Sequence, residues 1–254
     1  PLVEKYGREK GVRFKQGFGM TEFGPGLFAL PAEDAIRKAG SIGRPNFFID
    51  VRVMDDDNRP LGPNETGELV LKGPSGCSGY WNNPEATAAV VDDEGWFHTG
   101  DLGSMDKDGF VKITGRKKEL MKTSGGKYIA PAKLEGRLKS LPMIQEAVTV
   151  ADTRNYVTAL IAIDPEELAT WAQQTGNKAD ADGKAVRDAI QKHVDEVNQS
   201  LARFETVKYF RVVPPMTVED GLLTASLKVK RKVVIERYAD LVDEMYQSAK
   251  QPAA

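Results

Sequence analysis

A single cysteine, Cys77, stands among 254 residues. An internal disulfide and any multi-cysteine metal site are therefore excluded, a composition that suits a reducing cytoplasm. Cys77 itself, in "GPSGCSGY", is expected to be a small filler. Histidine is almost as scarce: His98 and His193 lie far apart, with no acid or cysteine at ligand spacing, so no zinc motif is present. A GxSxG elbow is also missing, which leaves serine-nucleophile chemistry without support. Neither sign of charge is in excess, with 35 basic against 37 acidic residues. No overall field draws the chain to nucleic acid or an anionic membrane, and any anion site has to be local. No apolar run approaches the ~20 residues of a membrane-crossing helix, and no signal peptide is visible.

What is present is a globular composition, 41% hydrophobic, in two differently patterned halves. Residues 1–115 are punctuated by glycine and proline. Their short alternating runs "IDVRVMD", "GELVLKG" and "GFVKITG" predict strands, and "NNPEATAAVVDDEGW" predicts a short helix opened by Pro84. From residue 132 helices alternate with strands. "PAKLEGRLKSLP", "PEELATWAQQTG" and "KAVRDAIQKHVDEVNQSLARF" read as helices, "EAVTVAD", "VTALIAID" and "VKYFRVVP" as strands, and "SLKVKRKVVIERYADLVDEMY" as one last amphipathic helix. The class is α+β. The tail "SAKQPAA" reads as frayed, and no repeats stand out.

Several stretches carry chemistry. In "WFHTGDLGSMDKDGFVKITGR", residues 96–116, the polar "DKDG" turn predicts a hairpin with Gly109 at positive φ, which folds Asp101 and Arg116 to the same end. Such a pair is either a surface ion pair worth ~0–1 kcal/mol or a site that accepts from ribose hydroxyls while donating to nearby oxygens. "GFGMTE", residues 17–22, offers Phe18 to stack on a base, the Thr21 hydroxyl to phosphate and Glu22 to Mg²⁺; taken alone, a turn with a core phenylalanine is the commoner explanation. "TSGGKY" is not a nucleotide phosphate loop, because Met121 and Tyr128 occupy the places of the required glycine and hydroxyl. Its glycines make either a tight turn or a backbone past which a thin ligand slides. In "LLTASLKVKRK", Lys228 follows a hydroxyl-rich loop and could neutralise charge developing on phosphate and carboxylate oxygens. The cluster of Lys228, Lys230, Arg231 and Lys232 reads otherwise as a solvated helix face. Without interleaved aromatics it is no nucleic-acid site.

Taken in order, "GFGMTE", "GELVLKGPSGCSGYWNNPEAT", "GWFHTGD", "GFVKITGRKKELMKTSGGKYIAP" and "LTASLKVKR" resemble the later signature series of the adenylate-forming acyl-CoA synthetases, from about residue 14 to 238. The fourth motif and "GLLTASLKVKR" look most like the long-chain fatty-acid ligase branch.

The resemblance implies the mainly β end of a large AMP-binding N-terminal domain, including a distorted β-barrel subdomain, over residues 1–115. A hinge at 116–119 and a small mobile α+β C-terminal domain over 120–254 follow. It implies ATP-dependent conversion of a fatty acid to an acyl adenylate and then to acyl-CoA, with ATP/AMP, Mg²⁺ and CoA bound. Phe18 then stacks on adenine, Thr21 contacts phosphate and Glu22 holds Mg²⁺. Asp101 and Arg116 bind ribose, and Lys118 is the hinge residue. Gly125, with Gly126 beside it, enters the pantetheine tunnel, and Lys228 completes the adenylation site. Leu227 replaces the usual glycine before that lysine. Lys117, Lys122 and Lys127 are candidates for steering the phosphates of CoA.

The family's early Ser/Thr/Gly-rich phosphate loop is not in these 254 residues. The expectation is a C-terminal portion that needs its N-terminal partner segment to adenylate, is cytoplasmic, and touches membranes peripherally. Transfer to a carrier protein, oxidation of the acyl group, or nucleotide binding without catalysis are the competing readings.

Overall fold

The computed structural model describes residues 2–247; the tail expected to fray lies outside them. The chain divides into two compact units between Glu119 and Leu120.

In the first unit α1 (Leu2–Lys10) leads into β1 (Gln16–Met20), β2 (Gly24–Leu30) and β3 (Arg44–Pro45), a three-stranded sheet in that order. Strands β4 (Asp50–Met54), β5 (Gly67–Lys72), β6 (Phe97–Met105) and β7 (Val111–Arg116) form an antiparallel meander, with α2 (Pro84–Ala88) between β5 and β6. Phe23, Leu27, Phe28, Leu69, Leu71, Phe97 and Val111 fill the core. On the other face Arg52 lies 4.3 Å over the buried Trp96 ring. Gly43 bridges to Val111 on the free side of β7, so the two sheets join edge to edge. The sheet ends at β1 and β4 without pairing to each other, and no closed barrel forms among the described residues.

The hairpin turn forms as the sequence predicts. Asp106 Oδ1 accepts from the amides of Asp108 and Phe110 at 2.9 and 3.0 Å, and Gly109 has φ 81°. In α2, Asn83 Oδ1 accepts from the Ala86 amide and Pro84 opens the first turn. Cys77 fills no core space; it is exposed, because its amide is spent on the Glu22 carbonyl at 2.7 Å and the loop passes over the surface.

The second unit begins with a small hairpin, β8 (Met121–Lys122) and β9 (Tyr128–Ile129), followed by α3 (Pro131–Leu138). Strands β10 (Ile144–Val150), β11 (Val157–Ile163) and β12 (Val207–Val213) make a sheet in that order, β10 antiparallel and β12 parallel to β11. A parallel neighbour needs a crossover, supplied by α4 (Pro165–Thr175) and α5 (Lys184–Asn198). Every residue of β11 is buried, which is why "VTALIAI" is apolar without alternation. Leu134, Leu138, Leu168, Val186 and Ile190 pack on one side of the sheet, and Val234, Val242 and Met245 on the other. Each fully buried leucine or isoleucine contributes roughly 1.5–3 kcal/mol. Asp164 caps α4 by accepting from the amides of Glu166 and Glu167, and Gly176 ends it at φ 72°.

Two helices are shorter than their patterns predict. α5 stops at Asn198, whose side chain bonds both backbone groups of Val207 and so starts β12. The expected single last helix is two, α6 (Arg231–Arg237) and α7 (Ala239–Gln247), broken at Tyr238 with φ −106° and ψ 27°. The break lets Val234 and Val242 both reach the sheet. Residues 224–230 form a turn in place of its first helical turns.

Candidate functional site

In the first unit Asp101 and Arg116 face each other across β6 and β7. Their register slips between Leu102 and Gly103, a bulge at which a Cβ on Gly103 would meet the Lys112 carbonyl oxygen at 2.6 Å. Arg116 Nε donates to Asp101 Oδ1 at 2.8 Å, with the carboxylate side chain 5% and the guanidinium side chain 62% exposed. Burial pushes the Asp101 carboxyl above its ordinary range. Arg116 pulls it back down, and the like charges of Glu119 and Glu22 add to the rise. The fold thus brings Glu22, read from a distant motif, within electrostatic reach of the Asp101–Arg116 pair.

A buried second ring holds this corner. The Thr99 hydroxyl donates to the Leu69 carbonyl at 2.7 Å and accepts from the Asp101 amide at 3.0 Å. Glu68 accepts from the Gly100 amide at 3.0 Å and lies 3.3 Å from both Lys117 Nζ and His98 Nδ1. Lys117 also pairs with Asp56 at 3.0 Å, so this lysine is tied to the first unit's own carboxylates and is not free to steer CoA. His98 has acidic neighbours after all: folding brings it Glu68 from the adjacent strand and Asp92 from the loop before β6.

Phe18 is half-buried on β1, with its edge against Phe28 at 5.8 Å between ring centres. Of the two glycines beside it, Gly19 is required by the hairpin itself, since a Cβ there would sit 2.5 Å from the Pro25 carbonyl carbon. At Gly17 a Cβ would meet only ordinary contact. Thr21 is exposed at the turn, beside an open hollow lined by Gly19, Met20, Thr21, Gly24 and Pro25. Glu22 Oε1 accepts from the Tyr80 hydroxyl at 2.9 Å, and burial followed by this bond raises the tyrosine's pKa. No group of three or more acid, histidine or cysteine side chains able to hold a metal occurs among the described residues. A single carboxylate beside a hydroxyl still fits Mg²⁺, which keeps most of its waters and binds through one or two carboxylates together with substrate phosphates. Lys118 is exposed in a single 3-10 turn, Lys117–Glu119, at the unit boundary.

In the second unit the glycines of "TSGGKY" differ. Gly126 has φ 76° and donates its amide to the Thr123 carbonyl at 2.8 Å, closing the turn of the β8–β9 hairpin. Gly125 has no positive φ, and nothing lies within 4 Å of a Cβ built on it. The local fold does not need a glycine there. Ser124 anchors the turn to the loop after β10, its amide donating to the Arg154 carbonyl and its hydroxyl to Asn155.

Lys228 is exposed at the end of a separate turn opened by Thr224, and Leu227 before it has φ 58°. That conformation explains what a glycine would do at this position. Lys230 and Lys232 are exposed as a solvated face requires, but Arg231 is not part of it. Its guanidinium makes a two-pronged pair with Glu135 at 2.6 and 2.7 Å and donates to the Thr149 carbonyl. Glu135 also accepts from the Thr149 amide and hydroxyl.

Sequence reasoning missed Tyr80, Glu68, Glu135 and Thr224 because each acts on a partner at least four residues away, and most on another element. Only Thr224 had a local signal, the hydroxyl-rich loop before Lys228.

Residues 1–81 match the AMP-binding enzyme family, and residues 118–250 match the AMP-binding enzyme C-terminal domain. The chain is 39% identical over 256 residues to the long-chain-fatty-acid–CoA ligase FadD15 of Mycobacterium tuberculosis, covering 97% of this chain and 40% of that protein. It is 42% identical over 180 residues to a feruloyl-CoA synthase of an Amycolatopsis species, covering 67% and 36%. Among solved structures it resembles the O-succinylbenzoate CoA synthetase of Bacillus subtilis. With ATP and magnesium bound the TM-score is 0.71 at 29% identity, and with the acyl-adenylate intermediate 0.73 at 27%; both cover 91% of this chain and 43% of that one. The chain thus spans about 40% of the length of the long-chain-fatty-acid–CoA ligases it matches over 97% of its own length. With residues 118–250, just over half of the chain, matched and its motifs in order, the chain belongs to the AMP-binding enzyme family.

Proposed function

We propose that this chain is the C-terminal part of an ATP-dependent long-chain fatty-acid–CoA ligase. In the first step the fatty-acid carboxylate attacks the α-phosphorus of ATP, the P–O bond to pyrophosphate breaks, and an acyl adenylate forms. In the second the CoA sulfur attacks the acyl carbon, the C–O bond to AMP breaks with its electron pair, and the thiol proton passes to solvent.

The observation that carries this reading is the Asp101–Arg116 pair, a buried carboxylate beside a guanidinium mostly open to solvent. An ion pair made for stability alone gains little with one partner in water. A buried acceptor next to exposed donors suits the hydroxyls and oxygens of a ribose. Phe18 on the neighbouring sheet stacks on the base, and Thr21 meets phosphate. Glu22 would hold Mg²⁺, which when bound supplies charge neutralisation at the phosphates. Tyr80 orients the Glu22 carboxylate through its hydroxyl.

Lys228 serves adenylation by countering charge on the reacting phosphate and carboxylate oxygens. Gly125 serves thioester formation, its missing side chain leaving room for the pantetheine arm. One pocket cannot present pyrophosphate and CoA in line with the same carbon. A hinge at Lys118, with residues 120–254 moving as a body, resolves that conflict. A cytoplasmic location with peripheral membrane contact belongs to the same proposal. The test is to incubate the complete protein with a long-chain fatty acid, ATP, Mg²⁺ and CoA. Acyl-CoA, AMP and pyrophosphate in equal amounts are expected; acyl adenylate that transfers to a holo carrier protein and not to CoA overturns the assignment.

A further inference from the structure

The two turns assigned to opposite half-reactions are built alike. In the first, the Thr123 amide donates to the Lys127 carbonyl at 2.9 Å, the Lys127 amide donates to Thr123 Oγ1 at 3.1 Å, and the Gly126 amide donates to the Thr123 carbonyl at 2.8 Å. In the second, the Thr224 amide donates to the Lys228 carbonyl at 2.8 Å, the Lys228 amide to Thr224 Oγ1 at 3.0 Å, and the Leu227 amide to the Thr224 carbonyl at 2.8 Å. The residue before each lysine is left-handed, Gly126 at 76° and Leu227 at 58°. The flanking residues pair equivalently, Lys122 with Tyr128 and Leu223 with Val229. "TSGGK" and "TASLK" share only their first and last residues, so the identity lies in the hydrogen bonds.

In both turns a threonine hydroxyl fixes the backbone from which a lysine projects, and both lysines are exposed. Neither ammonium is in an ion pair among the described residues, whereas Lys117, Lys133 and Lys139 each hold a carboxylate. Beside Lys127, Lys122 lies 5.6 Å over the exposed Tyr128 ring and the Arg154 carbonyl backs the turn; the Arg154 guanidinium is paired with Asp243 at 2.8 Å, and Asp152 is engaged by the Lys122 amide at 3.1 Å. An exposed, unpaired ammonium projecting from a fixed backbone suits a phosphate.

We propose that Lys127 is the counterpart of Lys228 for acyl transfer: its ammonium pairs with a phosphate oxygen of the phosphate-bearing thiol acceptor, and Thr123 positions it as Thr224 positions Lys228. This rests on the ligase reading above. Loss of one charge-assisted contact lowers affinity about tenfold to a hundredfold.

The test uses the complete protein supplied with preformed acyl adenylate, comparing wild type, Lys127→Ala, Lys127→Arg and Thr123→Val. Thermal melting checks each fold, and calorimetric binding of CoA is read beside kinetics with CoA and with pantetheine, a thiol acceptor without phosphate. Lys127→Ala should raise the KM and Kd for CoA about tenfold or more with little change for pantetheine, Lys127→Arg should restore most of it, and Thr123→Val should fall between. An equal effect on pantetheine, or none on either acceptor, overturns the assignment to Lys127. A wild type that transfers nothing to CoA overturns the ligase reading instead.

Discussion

Asp101 and Arg116 sit directly opposite each other on β6 and β7, joined at 2.8 Å, with the acid buried and the base largely in solvent. If the pair reads ribose, Asp101→Asn in the complete protein should weaken AMP binding by roughly 10–100-fold. Arg116→Ala should do the same and also leave the buried carboxylate unpaired, at a cost of about 1–3 kcal/mol. Calorimetric AMP titration and urea unfolding check the two effects separately.

The same pair has a pH signature. Burial raises the Asp101 carboxyl above its unfolded value despite Arg116. The folded state therefore holds this proton more tightly than the unfolded state. Its contribution favours folding below the ordinary carboxylate pKa and is lost as pH rises through the raised folded value. Urea midpoints of wild type relative to Asp101→Asn should fall across the carboxylate range and level off above it. A difference that rises with pH contradicts the burial.

Glu135 and Arg231 fasten the start of α6, just after the Lys228 turn, to α3 and β10. Glu135→Ala should destabilise by about 2–4 kcal/mol, because a half-buried guanidinium loses both its prongs. Chemical denaturation reads this directly. A change within 0.5 kcal/mol would mark the pair as a surface contact of the kind worth ~0–1 kcal/mol.

The two glycines of the β8–β9 turn should separate cleanly. Gly126→Ala forces a side chain into a left-handed residue and should cost roughly 1–2 kcal/mol. Gly125→Ala meets no such strain and no neighbour, and should be neutral or stabilise by up to about 1 kcal/mol. Leu227→Gly relieves the corresponding strain at the second turn. It should stabilise by at most ~1 kcal/mol, since glycine's unfolded-state entropy offsets part of the gain. Denaturation midpoints rank the three.

How far these features could be read from sequence depended on their range. The strands of "GELVLKG" and "VTALIAID", the Asp106 turn and the helix of "PEELATWAQQTG" follow from period and turn chemistry. The facing of Asp101 and Arg116 was legible because a tight hairpin fixes its own register. Tyr80 on Glu22 and Arg231 on Glu135 were not, since they join segments 58 and 96 residues apart. The last helix was misjudged because leucine at 227 and tyrosine at 238 both suit a helix, whereas Leu227 is left-handed in a turn closed by Thr224 and the chain breaks at Tyr238. The likeness of the Lys127 and Lys228 turns stayed hidden for the same reason, since it lies in backbone bonds that unlike residues share.

The most direct test of the central claim, that this unit carries separate devices for two half-reactions, is to assay Lys228→Ala in the complete protein in each step apart. Fatty-acid-dependent ATP–pyrophosphate exchange reads adenylation, and acyl transfer from supplied acyl adenylate to CoA reads thioester formation. Exchange should fall by roughly 10²–10³-fold while transfer stays within about threefold of wild type. Equal loss in both steps would contradict the division of labour.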